Sequence, residues 1–375
     1  MNLTCTLRPY ILALGSDVKC VPALGNGEHV KFMAEAGDLA VPANQDRLVQ
    51  MLHSHLACAK QDAVIVCDAH PGYVSSRLAR AAAARYGLRL VTVQHHRAHV
   101  AAVAAEYGIT EPVVGLAFDG TGYGDDGTIW GGEFFTGSVT TGFTRRGSFA
   151  PLLLLGGDRA VREPWRLAVA ALMERGSTDD AIRQWAARVG APHVDLPLFR
   201  TALERRLNVV VTSALGRWFD CASALLGVCH RAASEAQAAI ALEKLAIGVS
   251  SHPTAGFYAL ERRGALLVID LPGLFAVCQQ GKPDVRQCAA IFHRAVAEAI
   301  AELAALLARE AGVKKVLGSG GCFLNRVLSG ILTQELAAHE LELLLPQRLS
   351  PGDQALAVGQ ILIANAEMIS SDKHQ

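Results

Sequence analysis

The sequence predicts an α/β fold built as two layered lobes, and three observations predict it. Strand-patterned and helix-patterned segments alternate along the chain, the pattern that lays helices on the faces of sheets. A similar opening occurs twice: Tyr10 to Lys19 (YILALGSDVK) reads as a strand entering a Gly-Asp turn, and Val113 to Gly124 repeats the plan, so each begins one lobe. The length, 375 residues of which 51% are apolar, suffices for two lobes with cores of their own.

Taken in order, the first opening is followed by helix-patterned sequence over Asn44 to Leu56 and Ser75 to Tyr86. His99 to Tyr107 (HVAAVAAEY) is rich in strong helix formers. Ile109-Thr110-Glu111-Pro112 then interrupts the pattern, which sets an N-terminal lobe at 1–110 and a C-terminal lobe at 111–353. Val113 to Phe118 reads as a short buried strand, and Thr128-Ile129-Trp130 with Phe134-Phe135 continues as strand. Helix-patterned stretches follow over Pro164 to Glu174 and Ser223 to Ile247. Val285 to Glu310 reads as one long amphipathic helix that Ala311-Gly312 ends, and Lys314 to Leu317 makes a strand aimed at the Gly318 to Gly321 loop.

Composition excludes some classes of function. Lys plus Arg and Asp plus Glu both number 35, so no basic footprint argues for nucleic acid as the main partner. No long uncharged apolar run argues for a membrane span, and the opening MNLTCTLRP has no export-like core, so a cytoplasmic location is expected. Nine cysteines are scattered without a C-x-x-C pair, which suits reduced thiols rather than a zinc knuckle or disulfide framework. Cys322, inside the Gly-Gly loop, is read as structural.

Two segments carry chemistry. His95 and His99 stand four apart, so both imidazoles share one face of a helix and can supply half of a zinc or ferrous-iron site that a carboxylate from elsewhere completes. Buried or surface histidines without a metal would show the same spacing. Downstream, the glycines from Gly120 through Gly132 leave backbone N–H groups free to face an anion. This is neither a P-loop nor a dinucleotide fingerprint, and a β-hairpin with Asp-Gly turns is the alternative. The glycines before Asn325 form a second place where backbone amides can approach a nucleotide. For Asp220 a helix N-cap ahead of Cys221 to Val228 is one reading.

Gln94 to His99 (QHHRAH) and Ala117 to Phe134 (AFDGTGYGDDGTIWGGEF), with Cys67 to Tyr73 (CDAHPGY), resemble the C-terminal catalytic region of the HypF family, carbamoyltransferases that mature nickel–iron hydrogenases. The resemblance continues through Gly156 to Arg166, Thr212-Ser213 with Gly216 to Asp220, Glu235 and Gln237, Ser319 to Arg326, and Asp353 with Gly359-Gln360, covering about Tyr10 to Ile363. It implies two ribonuclease-H-type lobes of the actin-like and sugar-kinase-like (ASKHA) fold, with nucleotide and metal in the cleft between them. It also implies that the family's acylphosphatase, zinc-finger and adenylating YrdC-like domains are missing, so that a separate adenylating domain or protein would serve this module. The closing segment, 354–375, is expected to carry a helix over about Gln354 to Glu367 that packs back on the first lobe.

By the same resemblance, His95, His99 and Asp353 bind a divalent metal, iron or zinc, with Asp119 as a further ligand. ATP enters as the AMP part of carbamoyl adenylate. Gly120, Thr121, Gly122 and Gly132, with Gly320, Gly321 and Asn325, would line its site, Asp220 and Glu235 would contact the adenosine, and Lys19 is a candidate phosphate contact. Arg97 is another, and His96 and His70 are candidates for supporting or proton-relay roles. The carbamoyl group is expected to pass to the C-terminal cysteine of HypE. Two departures stand out: Ala236 where relatives have glycine, which matters if the position needs φ > 0, and Gly352-Asp353-Gln354-Ala355, where two glycines are absent. Alternatives are a tRNA threonylcarbamoyl transferase relative, which would have a Ser-Gly-Gly-Asn-like turn after Asp119, an O-carbamoyltransferase, and a non-catalytic nucleotide and metal scaffold for HypE.

Overall fold

Two β-sheets, with one helix buried between them, organise the computed structural model, which describes residues 1–57, 62–251, 256–279 and 284–372. The first sheet comes from β1 (Asn2–Ala13), β2 (Ala23–Phe32), α1 (Pro42–Leu56), β3 (Val64–Asp68), α2 (Val74–Tyr86), β4 (Arg89–Val93) and α3 (His95–Tyr107). Its strand order is β2-β1-β3-β4, with β1 and β2 antiparallel and β1, β3 and β4 parallel. Both helices expected here form, and the opening strand starts earlier than Tyr10, at Asn2.

The second half contains β5 (Val113–Tyr123), β6 (Ile129–Ser138), β7 (Gly142–Phe149), β8 (Leu152–Leu155), α4 (Asp158–Arg162), α5 (Trp165–Glu174), α6 (Asp179–Val189), α7 (Leu196–Glu204), β9 (Val209–Thr212), α8 (Leu215–Leu225) and α9 (Gln237–Ala246). There follow β10 (Ala259–Arg263), β11 (Leu266–Asp270), α10 (Pro272–Gln279), α11 (Val285–Ala311), β12 (Lys315–Ser319), α12 (Arg326–Ala338), β13 (Glu342–Leu344) and α13 (Leu356–Asp372). The main path of this sheet runs β10-β11-β7-β6-β5-β12-β13, and β9 joins β8 to β6. As the sequence predicts, α11 is one long helix closed by Gly312 at φ +67°, and the next strand feeds the glycine loop.

Two expectations need correcting. Ser223 to Ile247 is not one helix: α8 stops at Leu225, Gly227 turns at φ +75°, and α9 starts only after Ala236. Alanine-rich composition suggested continuity, but the glycine at positive φ ends the first segment. Asp220 is not an N-cap, because α8 begins five residues earlier and Asp220 lies within it.

Burial explains the layering. On one face of the first sheet Leu12, Leu48, Leu52, Ile65 and Ala79 join α1 and α2 to the strands. On the other, Ile11, Val66 and Val93 pack against Ala98 and Ala102 of α3 and Leu356, Val358 and Ile361 of α13. The opposite side of α3 meets the second sheet, where Val100 and Ala104 pack with Val113, Ala117, Trp130 and Leu317. A helix covered on both sides needs no polar stripe. Alanine lets it sit close: a Cβ on Gly359 of α13 would lie 1.8 Å from the Ala98 carbonyl oxygen, and one on Gly115 of β5 would lie 2.7 Å from Val100.

Candidate metal and nucleotide site

The N-terminus of α3 emerges between the sheets, and two other segments bring carboxylates to it. Gln94 caps the helix, its side chain accepting a hydrogen bond from Arg97 N at 2.9 Å, which sets His95 and His99 one turn apart. Asp119 projects where β5 loses register with β6, between Phe118 and Gly122. Such a bulge re-aims a side chain out of the ladder. Asp353 sits in a single 3-10 turn, Asp353–Ala355, just before α13.

One ligand atom from each of His95, His99, Asp119 and Asp353 lies within 4.8 Å of all the others. His95 Nε2 is 3.6 Å from Asp119 Oδ2 and 3.8 Å from Asp353 Oδ1. His99 Nε2 is 3.8 and 3.5 Å from the same two oxygens. Both Nε2 atoms are buried without a hydrogen-bond partner among the described residues. The opposite nitrogens are engaged: His95 Nδ1 meets Asp68 Oδ2 at 2.8 Å, and His99 Nδ1 meets Ser319 Oγ at 3.1 Å. Fixing Nδ1 and leaving Nε2 toward a shared centre is how metal-binding imidazoles are held. The carboxylates keep 18% and 19% of their side chains exposed, so the centre opens on one side to the cleft. Two imidazoles, neutral once metal displaces their protons, and two carboxylates suit zinc or ferrous iron.

The same contacts set the electrostatics. Burial opposes charge on His95 and His99, but Asp68, Asp119 and Asp353 around the first, and Asp119 and Asp353 beside the second, outweigh it and hold both imidazoles above their ordinary value. Burial likewise opposes the Asp119 carboxylate, and the two histidines overcome it and hold the group well below the usual range. Burial and the neighbouring His95 and His99 push His96 well down, so that ring is neutral, with Nδ1 3.0 Å from Gln94 Nε2.

The glycines shape the wall. A Cβ on Gly320, at φ +107°, would lie 2.1 Å from the Phe118 carbonyl oxygen, and one on Gly321 would lie 3.3 Å from Asp119 Oδ1. On the other side of the aspartate a Cβ on Gly122 would lie 2.5 Å from the His96 ring. The exposed Thr121 lies between Gly120 and Gly122 on the Asp119 bulge. The segment is also a hairpin, closed by Gly124 N to Thr128 O at 2.9 Å, so the hairpin alternative describes its far end. Gly132 is buried behind the loop, where a Cβ would lie 2.3 Å from the Ser213 carbonyl oxygen.

Other candidates are placed as follows. Lys19 and Glu235 form an ion pair of 3.0 Å that joins the first hairpin to the segment before α9. Asp220 is buried and lies 2.7 Å from Arg217 Nη1, and burial raises its carboxyl. The Asn325 side chain is engaged inside the protein, accepting from Leu328 N at 2.9 Å and lying 3.0 Å from His293 Nε2. Arg97 is occupied by Asp125 and the Phe143 carbonyl. His70 accepts from Gly72 N at 3.0 Å and stacks on Tyr73, as a turn residue does. Cys322 is partly buried, and burial pushes its thiol up, as expected of a structural cysteine.

Asp68, Arg217 and Glu133 are residues that spacing alone missed. Asp68 could have been sought at the C-terminal end of a buried strand, where parallel sheets present ligands. Glu133 is fully buried, holds Arg145 Nε at 2.6 Å and bonds the Ser213 hydroxyl; its signal was a carboxylate in an otherwise apolar strand.

The chain is similar to known proteins in sequence and fold. A family model described as "HypF Kae1-like domain" matches residues 6–106, and one described as "Carbamoyltransferase, Kae1-like Domain, second subdomain" matches residues 115–360. A Cupriavidus necator protein named "Carbamoyltransferase HypF homolog" is 43% identical over 364 residues, covering 94% of this chain and 91% of its own. "Carbamoyltransferase HypF2" of the same organism is 36% identical, covering 95% of this chain and 46% of the relative. Full-length HypF, solved in a phosphate- and nucleotide-bound form, superposes with a TM-score of 0.86 at 27% identity, over 98% of this chain and 47% of that one. HypF of T. kodakarensis gives 0.84 at 25% identity, over 99% and 49%. Fold and site thus define a two-lobed Kae1-like domain. The chain belongs to the HypF carbamoyltransferase family, and it spans about half the length of the longer relatives.

Proposed function

We propose that this chain transfers a carbamoyl group from carbamoyl adenylate to the C-terminal cysteine thiol of HypE, a step toward the cyanide ligands of nickel–iron hydrogenase. The observation that carries this reading is the convergence of His95, His99, Asp119 and Asp353 beside two glycine loops in a HypF-family chain.

His95, His99, Asp119 and Asp353 would hold the divalent metal. Once bound, it would supply a Lewis acid that neutralises charge on phosphate oxygen. The residues of this chain do the rest. Gly120, Gly122, Gly320 and Gly321 would let backbone N–H groups approach a phosphate. Asp220 and Glu235 are assigned to the ribose, and Lys19 to the phosphate. The HypE sulfur, a thiolate once its proton has gone to solvent, forms a bond to the carbamoyl carbon as the bond from that carbon to the AMP oxygen breaks, and AMP leaves as the anion. No nucleophile from this chain is needed, which agrees with the partly buried, un-ionised Cys322.

The test is mass spectrometry of HypE after incubation with this protein and carbamoyl adenylate from a separate adenylating domain. One added carbamoyl group on the terminal cysteine is expected. Bound but unconsumed adenylate with unmodified HypE would reject transfer and leave a scaffold.

A further inference from the structure

The nucleotide side of the cleft contains a buried cation that no motif spacing had singled out. Arg217 lies in the first turn of α8 and is 9% exposed. Its Nη1 is 2.7 Å from Asp220 Oδ2, in an alignment that pairs charge but makes no hydrogen bond, and Nε and Nη1 have no hydrogen-bond partner among the described residues. A Cβ placed on Gly120 would lie 2.9 Å from Arg217 Nη2, so the guanidinium reaches over the glycine that follows Asp119. The start of α8 closes on the same glycine: a Cβ on Gly216 would lie 2.8 Å from Gly120 Cα. Ala214, the N-cap, offers no side-chain cap. An uncapped helix N-terminus favours an anion, and an arginine with unused donors favours a planar set of oxygens such as a phosphate.

A buried guanidinium with unmet donors is costly unless its role is to meet a ligand. Asp220 supplies its countercharge from within the same helix, three residues on, which leaves the Nη2 side turned to the glycine loop. Lys19 differs from it: 46% exposed, it is paired with Glu235 at 3.0 Å.

We propose that Arg217 joins Lys19 as a phosphate-binding residue of this site, gripping the phosphate of a nucleoside monophosphate over Gly120 while Asp220 Oδ2 holds the other edge of the guanidinium. The proposal rests on reading the cleft as an adenylate site.

The experiment is calorimetric titration of AMP and of adenosine into the whole chain, its Arg217→Lys variant, and the Arg217→Gln/Asp220→Asn double variant, which removes both charges and leaves no unpaired one. The wild type is expected to prefer AMP over adenosine. Both variants should lose at least about tenfold of that preference, in keeping with the strength of a charge-assisted pair. A merely structural arginine would weaken both ligands alike and leave the ratio unchanged, which overturns the proposal. Should the wild type bind AMP no better than adenosine, a phosphate role for Arg217 falls while an adenosine site stands. Failure of the wild type to bind either ligand removes the adenylate reading itself. Where Arg217→Lys does not fold, by circular dichroism, the double variant alone decides.

Discussion

Asp68 Oδ2 lies 2.8 Å from His95 Nδ1, and both side chains are fully buried. The carboxylate therefore selects the tautomer that presents Nε2 to the cluster, and its other oxygen accepts from His70 N at 2.8 Å, which locks its own orientation. Asp68→Ala is expected to lose about 10- to 100-fold in metal affinity, the usual cost of deleting such a partner. Asp68→Asn, which keeps an acceptor, should lose less. Competition with a chromophoric chelator measures both, and an unchanged affinity in Asp68→Ala would refute the assignment.

His95→Ala and Asp353→Ala each remove one of four converging ligand atoms. Both variants should remain folded, stop binding zinc and give no carbamoyl transfer to HypE. Metal analysis after dialysis, alongside the transfer assay, is the check; normal transfer by either variant sinks the metal reading.

The pH dependence has a defined sign. In chelated protein His95 and His99 titrate above their ordinary 6.5, so the stability they contribute is fully present below that pH and is lost as pH rises through the raised values. Metal binding must displace those protons, so its affinity grows over the same interval. Melting temperatures with chelator and with zinc should therefore diverge as pH rises. Curves that stay parallel would show that these histidines neither hold protons nor exchange them for metal.

Ala236 occupies the left-handed region, at φ +56°, the conformation that favours glycine. A β-carbon there costs roughly 1–2 kcal/mol, partly offset by the greater chain freedom of glycine. Ala236→Gly is expected to raise the thermal midpoint; a lower midpoint would mean that the alanine methyl makes a compensating contact.

The Lys19–Glu235 pair bridges the two halves of the molecule, yet both partners are well exposed, at 46% and 72%. Its coupling should be no more than about 1 kcal/mol and should fade in salt. A double-mutant cycle on thermal unfolding tests this, and a larger coupling would mark the pair as a true fastening between the lobes.

Much of this was legible in the sequence for identifiable reasons. HVAAVAAEY shows α3 because helix formers need no partner to declare themselves, and Gly312 marks the end of α11 because positive φ favours glycine. What periodicity could not reveal was pairing across the chain. Nothing local joins Asp353 to His95, and only resemblance to a family did so. Local reading also failed between Leu225 and Gln237, where alanine-rich sequence hid a break. Arg217 stayed hidden because an arginine in a helix is ordinarily a solvated surface charge; its burial is a product of tertiary packing.

Gln360 of α13 binds Gly15 through both side-chain groups, its Oε1 accepting from Gly15 N at 2.9 Å and its Nε2 donating to Gly15 O at 3.1 Å, across 345 positions of sequence. Together with the Gly359 contact on α3, this makes the last helix a missing wall of the first half. A gene split after residue 110 would give an amino-terminal product whose sheet shows a bare apolar face, prone to self-association until the complementary fragment is made alongside it. The two halves are neighbours in shape but not separable in assembly.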